Sequence, residues 1–138
     1  MIATGTFYGE QLLDVLEFAV SALPAEAGTF MQVSGLRFTV DPDIPSPVMK
    51  DTETGMFSHV GEGERRVSHV EILDKQSGEY KAVELSLQYT IATLDYIILE
   101  QGGADIEVLR HYLESVLGGN IGSEYTQPQG RIIYKYFN

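Results

Sequence analysis

Gly28-Thr29-Phe30-Met31-Gln32-Val33-Ser34-Gly35-Leu36-Arg37-Phe38-Thr39-Val40-Asp41 is the stretch of sequence on which the fold turns. Leu36, Phe38 and Val40 alternate with Arg37 and Thr39, the period-two pattern of a strand with one buried face. Successive strand side chains point to opposite sides of a sheet. Read as strand further upstream, the same stretch puts Phe30 and Gln32 on one face.

Upstream, Leu12, Leu16, Ala19, Val20 and Leu23 recur at helical spacing. Glu10 falls in the first turn, where the helix dipole favours an acid, and Pro24 stops the helix. Downstream, Asp41 to about Gly63 carries Pro42, Pro45, Pro47 and three glycines, and is expected to be a long irregular loop. Val67 to Leu73 and Tyr80 to Val83 read as strands joined by a turn at Lys75-Gln76-Ser77-Gly78. Tyr89 to Leu94 and Arg131 to Phe137 read as further strands. A second helix is expected after Gly103, with Ile106, Leu109, Leu113, Val116 and Leu117 on its apolar face and Gly118-Gly119 at its end. The expected fold class is α+β: an open mixed or antiparallel sheet, layered with covering helices.

At 138 residues, 43 % of them hydrophobic, the chain suits one compact domain over 1–138. Its net charge of −11 repels phosphate backbones and anionic lipid, which speaks against a nucleic acid polymer or a membrane surface as partner. A small anionic ligand stays open, because a basic pocket dominates its surroundings within a Debye length of about 8 Å. With no cysteine, disulfides, thiolate zinc sites and thiol catalysis are excluded. No apolar run reaches membrane-spanning length, and the opening residues do not read as a signal peptide. A Met start of this kind suits a cytosolic chain or a piece of a longer protein.

Catalytic motifs are missing. His59, His69 and His111 are scattered without metal-ligand spacing, and no Asp-x-His, Gly-Asp-x-x-Asp or Gly-Asn-His occurs. A two-metal phosphoesterase needs several carboxylate, His and Asn ligands around ions about 4 Å apart. No Gly-x-Ser-x-Gly elbow and no phosphate-cradling glycine loop with Lys is present. The chain's own residues nominate no catalytic group and no metal ligand.

Three blocks nonetheless resemble the 5′-nucleotidase C-terminal domain, the family of UDP-sugar hydrolases, 2′,3′-cyclic-nucleotide phosphodiesterases and ecto-5′-nucleotidases. The first is Gly28 to Asp41, similar to "G-x-F-L-Q-V-S-G-[LM]-R-[FV]-x-Y-D". The second is Tyr89-Thr90-Ile91-Ala92-Thr93-Leu94-Asp95-Tyr96 with Gly102-Gly103, similar to "Y-x-[VM]-A-T-[NL]-[DN]-[YF]…G-G-D-G". The third is Gln129-Gly130-Arg131-Ile132, like a closing "x-G-R-[IV]". Gly9-Glu10-Gln11-Leu12-Leu13 also fits the family's "T-G-x-x-L" helix start.

The resemblance implies most of a substrate-binding domain, with an N-terminal metallophosphatase domain and its two divalent metal ions lying outside this chain. It implies a secreted, periplasmic or cell-surface setting and a nucleotide or nucleoside ligand. The parent would be a hydrolase of nucleotides or nucleotide derivatives, and the isolated chain is expected to be inactive. Phe30 and Tyr96 correspond to the two rings that sandwich the base; each stack contributes about 1–3 kcal/mol. Gln32 is positioned to address the base edge, and Asp95 matches the Asp or Asn before the second ring. Arg66-Val67 matches the Arg-Val of a strand start, and Arg66, Arg65 and Arg37 are the basic residues near this face.

The sequence departs from the pattern at Ala104, where the family has a carboxylate; Asp105 follows one place late and fits either a helix N-cap or a ligand contact. Ile97 to Gln101 is longer than the family's loop. A degenerate, non-catalytic interaction module is therefore the alternative, and a plain α+β scaffold for another ligand a third.

Overall fold

The computed structural model describes residues 2–53, 57–94, 114, 118, 122–123, 126–127 and 129–135. The chain divides into two compact units. One gathers Met1–Tyr8 with Leu87–Gln129, the other Gly9–Ser86 with Gly130–Asn138.

In the first unit, β1 (Ile2–Tyr8) and β7 (Gln88–Leu94) pair antiparallel from Ile2↔Leu94 to Tyr8↔Gln88. Phe7 lies opposite Tyr89 and buried Gly5 opposite Ile91, while Thr4, Thr6 and Thr90 are exposed. Two-residue alternation thus separates a half-buried face from a polar one.

The second unit holds the core. Its helix α1 (Gly9–Ala19) buries Leu12, Leu16 and Ala19, and Val20 in the following turn joins them. A four-stranded sheet runs in the order β6 (Tyr80–Ala82), β5 (Val67–Leu73), β2 (Leu36–Val40), β8 (Ile132–Tyr134). The first two pairings are antiparallel and β2–β8 is parallel, so the sheet is mixed, as expected. α1 packs against β5. Phe38, Val40, Val67 and Val70 are the sheet's buried side chains. Each such side chain contributes about 1.5–3 kcal/mol by leaving water.

β5 carries a bulge. Arg37 pairs with Glu71 but Thr39 pairs with Ser68, so β5 has one residue more than β2 between those pairs. His69 sits there at φ 51°, and consecutive Ser68 and His69 are both exposed between buried Val67 and Val70. Strict alternation would turn one of the two polar side chains inward; the extra residue turns both outward.

Two expectations need correction. The stretch 41–63 is not irregular throughout: β3 (Val48–Lys50) and β4 (Phe57–Val60) pair antiparallel within it, Val48↔Val60 and Met49↔His59. The prolines stop just before the pairing, and Phe57 on β4 is anchored by an edge-on contact with Phe18 of α1, centroids 5.4 Å apart. Residues 30–35 are irregular, so Phe30 and Gln32 are not aligned by a strand. Gly35 at φ 71° breaks the extended run just ahead of β2, and Phe30 N–H turns back to the Ala27 carbonyl at 3.1 Å. The helix expected after Gly103, and residues 136–137 of the last strand, lie outside the described residues.

Candidate functional site

The segment carrying Phe30 and Gln32 leaves the turns that follow α1 and enters β2. Phe30 is half-buried and Gln32 is exposed. What fixes this segment at its start is a buried polar knot. Glu17 is 0 % exposed and its two carboxylate oxygens accept the backbone N–H groups of Arg66 (2.9 Å) and Val67 (3.1 Å). Arg66, 7 % exposed, sends its guanidinium the other way. Nη1 donates to the carbonyls of Val20, Ser21 and Leu23 at 3.2, 3.3 and 2.8 Å, and Nε donates to Ile44 O at 2.5 Å. The first three of these carbonyls lie in the turns just past α1, where regular backbone partners run short; Val20 O also accepts the Leu23 N–H at 3.2 Å. The knot ties together the exit of α1, the 41–47 loop and the first residue pair of β5.

Arg66 is therefore engaged with the backbone carbonyls of Val20, Ser21, Leu23 and Ile44. Arg37 and Arg65, the other basic residues expected near this face, also have partners. Arg37 donates to Glu71 at 2.5 Å and lies 4.4 Å over the Tyr80 ring, and Arg65 pairs with Asp14 at 2.6 Å. Tyr96, Asp95 and Asp105 lie outside the described residues, as does Ala104.

Among the described residues of the second unit, two cavities stand out. One, of about 320 Å³, is lined by Arg37, Thr39, His69 of the bulge, Glu71, Gly130 and Ile133. The other, of about 520 Å³, lies where β2 and β8 end side by side. Because Val40 pairs with Tyr134 in parallel register, the next residues, Asp41 and Lys135, are neighbours; Lys135 Nζ stands 3.4 Å from Asp41 Oδ2. Sequence reasoning missed both Glu17 and Asp41 as buried acids. Glu17 adjoins Leu16 on the helix's apolar side, and that is the signal that could have found it. Asp41 looked like the first residue of a loop.

No group of three or more His, Asp or Glu able to hold a metal occurs among the described residues. The donor set there does not fit a two-metal centre, and no step through one is derived from this chain. No helix among the described residues is long and apolar enough to cross a membrane.

A chain with this mixed sheet, helix and motif order belongs to the 5′-nucleotidase C-terminal domain family, whose model matches residues 1–111. The closing Gln129-Gly130-Arg131-Ile132 lies beyond that match. Among solved structures, the chain is similar to a 5′-nucleotidase precursor from Thermus thermophilus, with 23 % identity and a TM-score of 0.68 over 96 % of this chain and 25 % of that one. It is also similar to the sulfate thiohydrolase SoxB of the same organism, solved with glycerol, with 22 % identity and a TM-score of 0.59 over 99 % of this chain and 23 % of that one. At these identities the likeness shows the fold alone, and the chain spans about a quarter of either protein's length. No curated protein matches the chain.

Proposed function

We propose that the chain recognises the nucleoside part of a nucleotide or nucleotide derivative, as the substrate-binding domain of a 5′-nucleotidase-type hydrolase. The observation that carries this is family membership, joined to the placement of Phe30 and Gln32. Both sit on an irregular segment, the kind of backbone on which binding residues concentrate, and its start is held by a rigid buried knot. Phe30 stacks on the base, and Tyr96, outside the described residues, is the second ring by family resemblance. Gln32 donates and accepts at the base edge, and Asp95 and Asp105, outside the described residues, are the further contacts proposed from the motif. Arg66, which the motif put among the ligand contacts, acts as a positioning residue through the turns that follow α1. The whole of 1–138 works as one recognition domain. Bond cleavage belongs to an N-terminal metallophosphatase domain with two divalent ions, in a periplasmic, secreted or cell-surface protein.

The ion-paired and carbonyl-bound arginines favour weak contact with phosphate, which also suits the second reading, an interaction module whose nucleotide site has decayed. Ligand-observed NMR separates the two. Adenosine and AMP should bind alike, with dissociation constants near or above about 1 mM, and Phe30→Ala should abolish the effect. Absence of any ring-dependent binding selects the interaction module, and micromolar, salt-sensitive AMP binding contradicts both.

A further inference from the structure

The geometry points to a second binding site, independent of the nucleotide reading: the cavity at the carboxyl ends of β2 and β8 takes an aliphatic diammonium ligand of the polyamine class. Open sheets bind ligands beyond the carboxyl ends of their parallel strands, and β2–β8 is the parallel pair of this sheet.

The floor of the cavity is Asp41. Its N–H bonds Arg66 O at 2.9 Å, its Oδ1 accepts the Asp43 N–H at 3.1 Å, and the residue is 4 % exposed. Oδ2 is buried yet accepts no hydrogen bond from any described residue. Lys135 Nζ at 3.4 Å balances part of its charge, on a side chain that is 55 % exposed. A buried carboxylate oxygen without a donor is costly, and a donor entering the cavity relieves that cost.

The rest of the lining narrows the donor's chemistry. Ile44, Pro45 and Pro47 form an apolar wall suited to methylene groups. Asp43 on one loop and Glu62 and Glu64 on another add three exposed carboxylates, so four acids face one ammonium. That balance repels anions and leaves a neutral ligand's surroundings uncompensated. A bare metal ion is far smaller than a cavity of about 520 Å³, and no metal-ligating group of three stands among the described residues. A dication with a flexible aliphatic stem meets each requirement. One ammonium donates to Asp41 Oδ2, the stem covers the prolines and the second ammonium faces the rim acids, while Lys135 swings outward to solvent.

The test is titration of the full chain with 1,4-diaminobutane and with spermidine at low ionic strength, followed by amide NMR shifts and calorimetry. Shifts should centre on residues 41–47 and 62–64. Asp41→Asn keeps the Oδ1 acceptor for Asp43 and should melt with the wild type, yet bind the amines about ten- to a hundredfold more weakly, the equivalent of one charge-assisted hydrogen bond. Lys135→Gln removes the competing cation and should tighten binding about two- to fivefold. A site that merely tolerates counter-ions would show neither change. Equal shifts from NaCl or CaCl₂ at matched ionic strength, unaltered affinity in Asp41→Asn, or weakened affinity in Lys135→Gln would each overturn the assignment. Adenosine titrated beside the amines should leave their affinity unchanged, so this site and the nucleoside site fail or stand separately.

Discussion

Replacing Arg66 by methionine should destabilise the chain by about 3–5 kcal/mol. Methionine keeps most of the apolar stem and deletes the guanidinium, so the loss is mainly in hydrogen bonding. Two of the four acceptors are short, Leu23 O at 2.8 Å and Ile44 O at 2.5 Å; Val20 O and Ser21 O, at 3.2 and 3.3 Å, share the protons of the same Nη1. A hydrogen bond to a charged group contributes about 1.5–3 kcal/mol net, so the two short ones account for most of the figure. Burial at 7 % exposure leaves little water to replace them. Domains are stable by only about 5–15 kcal/mol, so the variant loses a large share. Urea denaturation followed by tyrosine fluorescence is the assay, since the chain has eight tyrosines and no tryptophan. With a slope of about 1–3 kcal/mol/M, the midpoint should fall by at least about 1 M. Arg66→Lys should recover less than half, because one ammonium cannot serve Ile44 and the helix exit together. A loss below about 1 kcal/mol at unchanged slope would refute the knot as a stabilising element.

Gly9→Ala should destabilise by about 1–3 kcal/mol in the same assay, because an added Cβ stands 2.9 Å from backbone atoms of Glu84 and Leu85 that cannot rotate aside. At the bulge, His69→Gly should leave stability unchanged or raise it by up to about 1 kcal/mol, since φ 51° suits glycine, whereas His69→Val should lower the melting temperature; equal effects would show that the bulge relaxes. The bond from Lys81, with backbone N–H bonds from Gln76 and Ser77, holds the Asp74 carboxyl at about 2, down from 3.8. A depressed folded pKa gives stability that is present above the unfolded value and lost as pH falls from about 4 through 2. In Lys81→Met, a carboxyl NMR titration should show Asp74 moving up toward the ordinary value.

Much of the sheet was legible because its signals are local. Leu36 to Val40 alternate, Val67 to Leu73 is rich in β-branched and apolar residues, and the turn before Tyr80 is written in Lys75-Gln76-Ser77-Gly78, where Gly78 has a φ of 73°. β1 carries no comparable signal: Thr4, Gly5 and Thr6 form strand only because β7 pairs with them. β3 and β4 hid among prolines for the same reason, since Phe18 on a distant helix holds Phe57. The candidate site was legible only as motif. Phe30 and Gln32 were found, but the irregular path that presents them turns on Gly35 at φ 71° and on the bond from Phe30 N–H to Ala27 O. Arg66 itself read as a basic residue of the binding face, because nothing in its neighbourhood reveals four carbonyls arriving from elsewhere.

The parallel strand β8 implies an order of events during folding. β5 and β6 are joined by a short turn, and β2 reaches β5 across residues 41–66, which carry the β3–β4 hairpin. The fourth strand joins only when Ile132 finds Phe38, across most of the chain. Closing a loop costs roughly (3/2)RT ln n, so this pairing lags the hairpins. Until it forms, the backbone of Phe38 to Val40 has no neighbour on that side, and the bonds from Phe38 N–H to Arg131 O and from Lys135 N–H to Val40 O are unmade. A chain stalled or clipped ahead of residue 131 would therefore present a hydrophobic, unguarded strand edge, the template on which other chains aggregate.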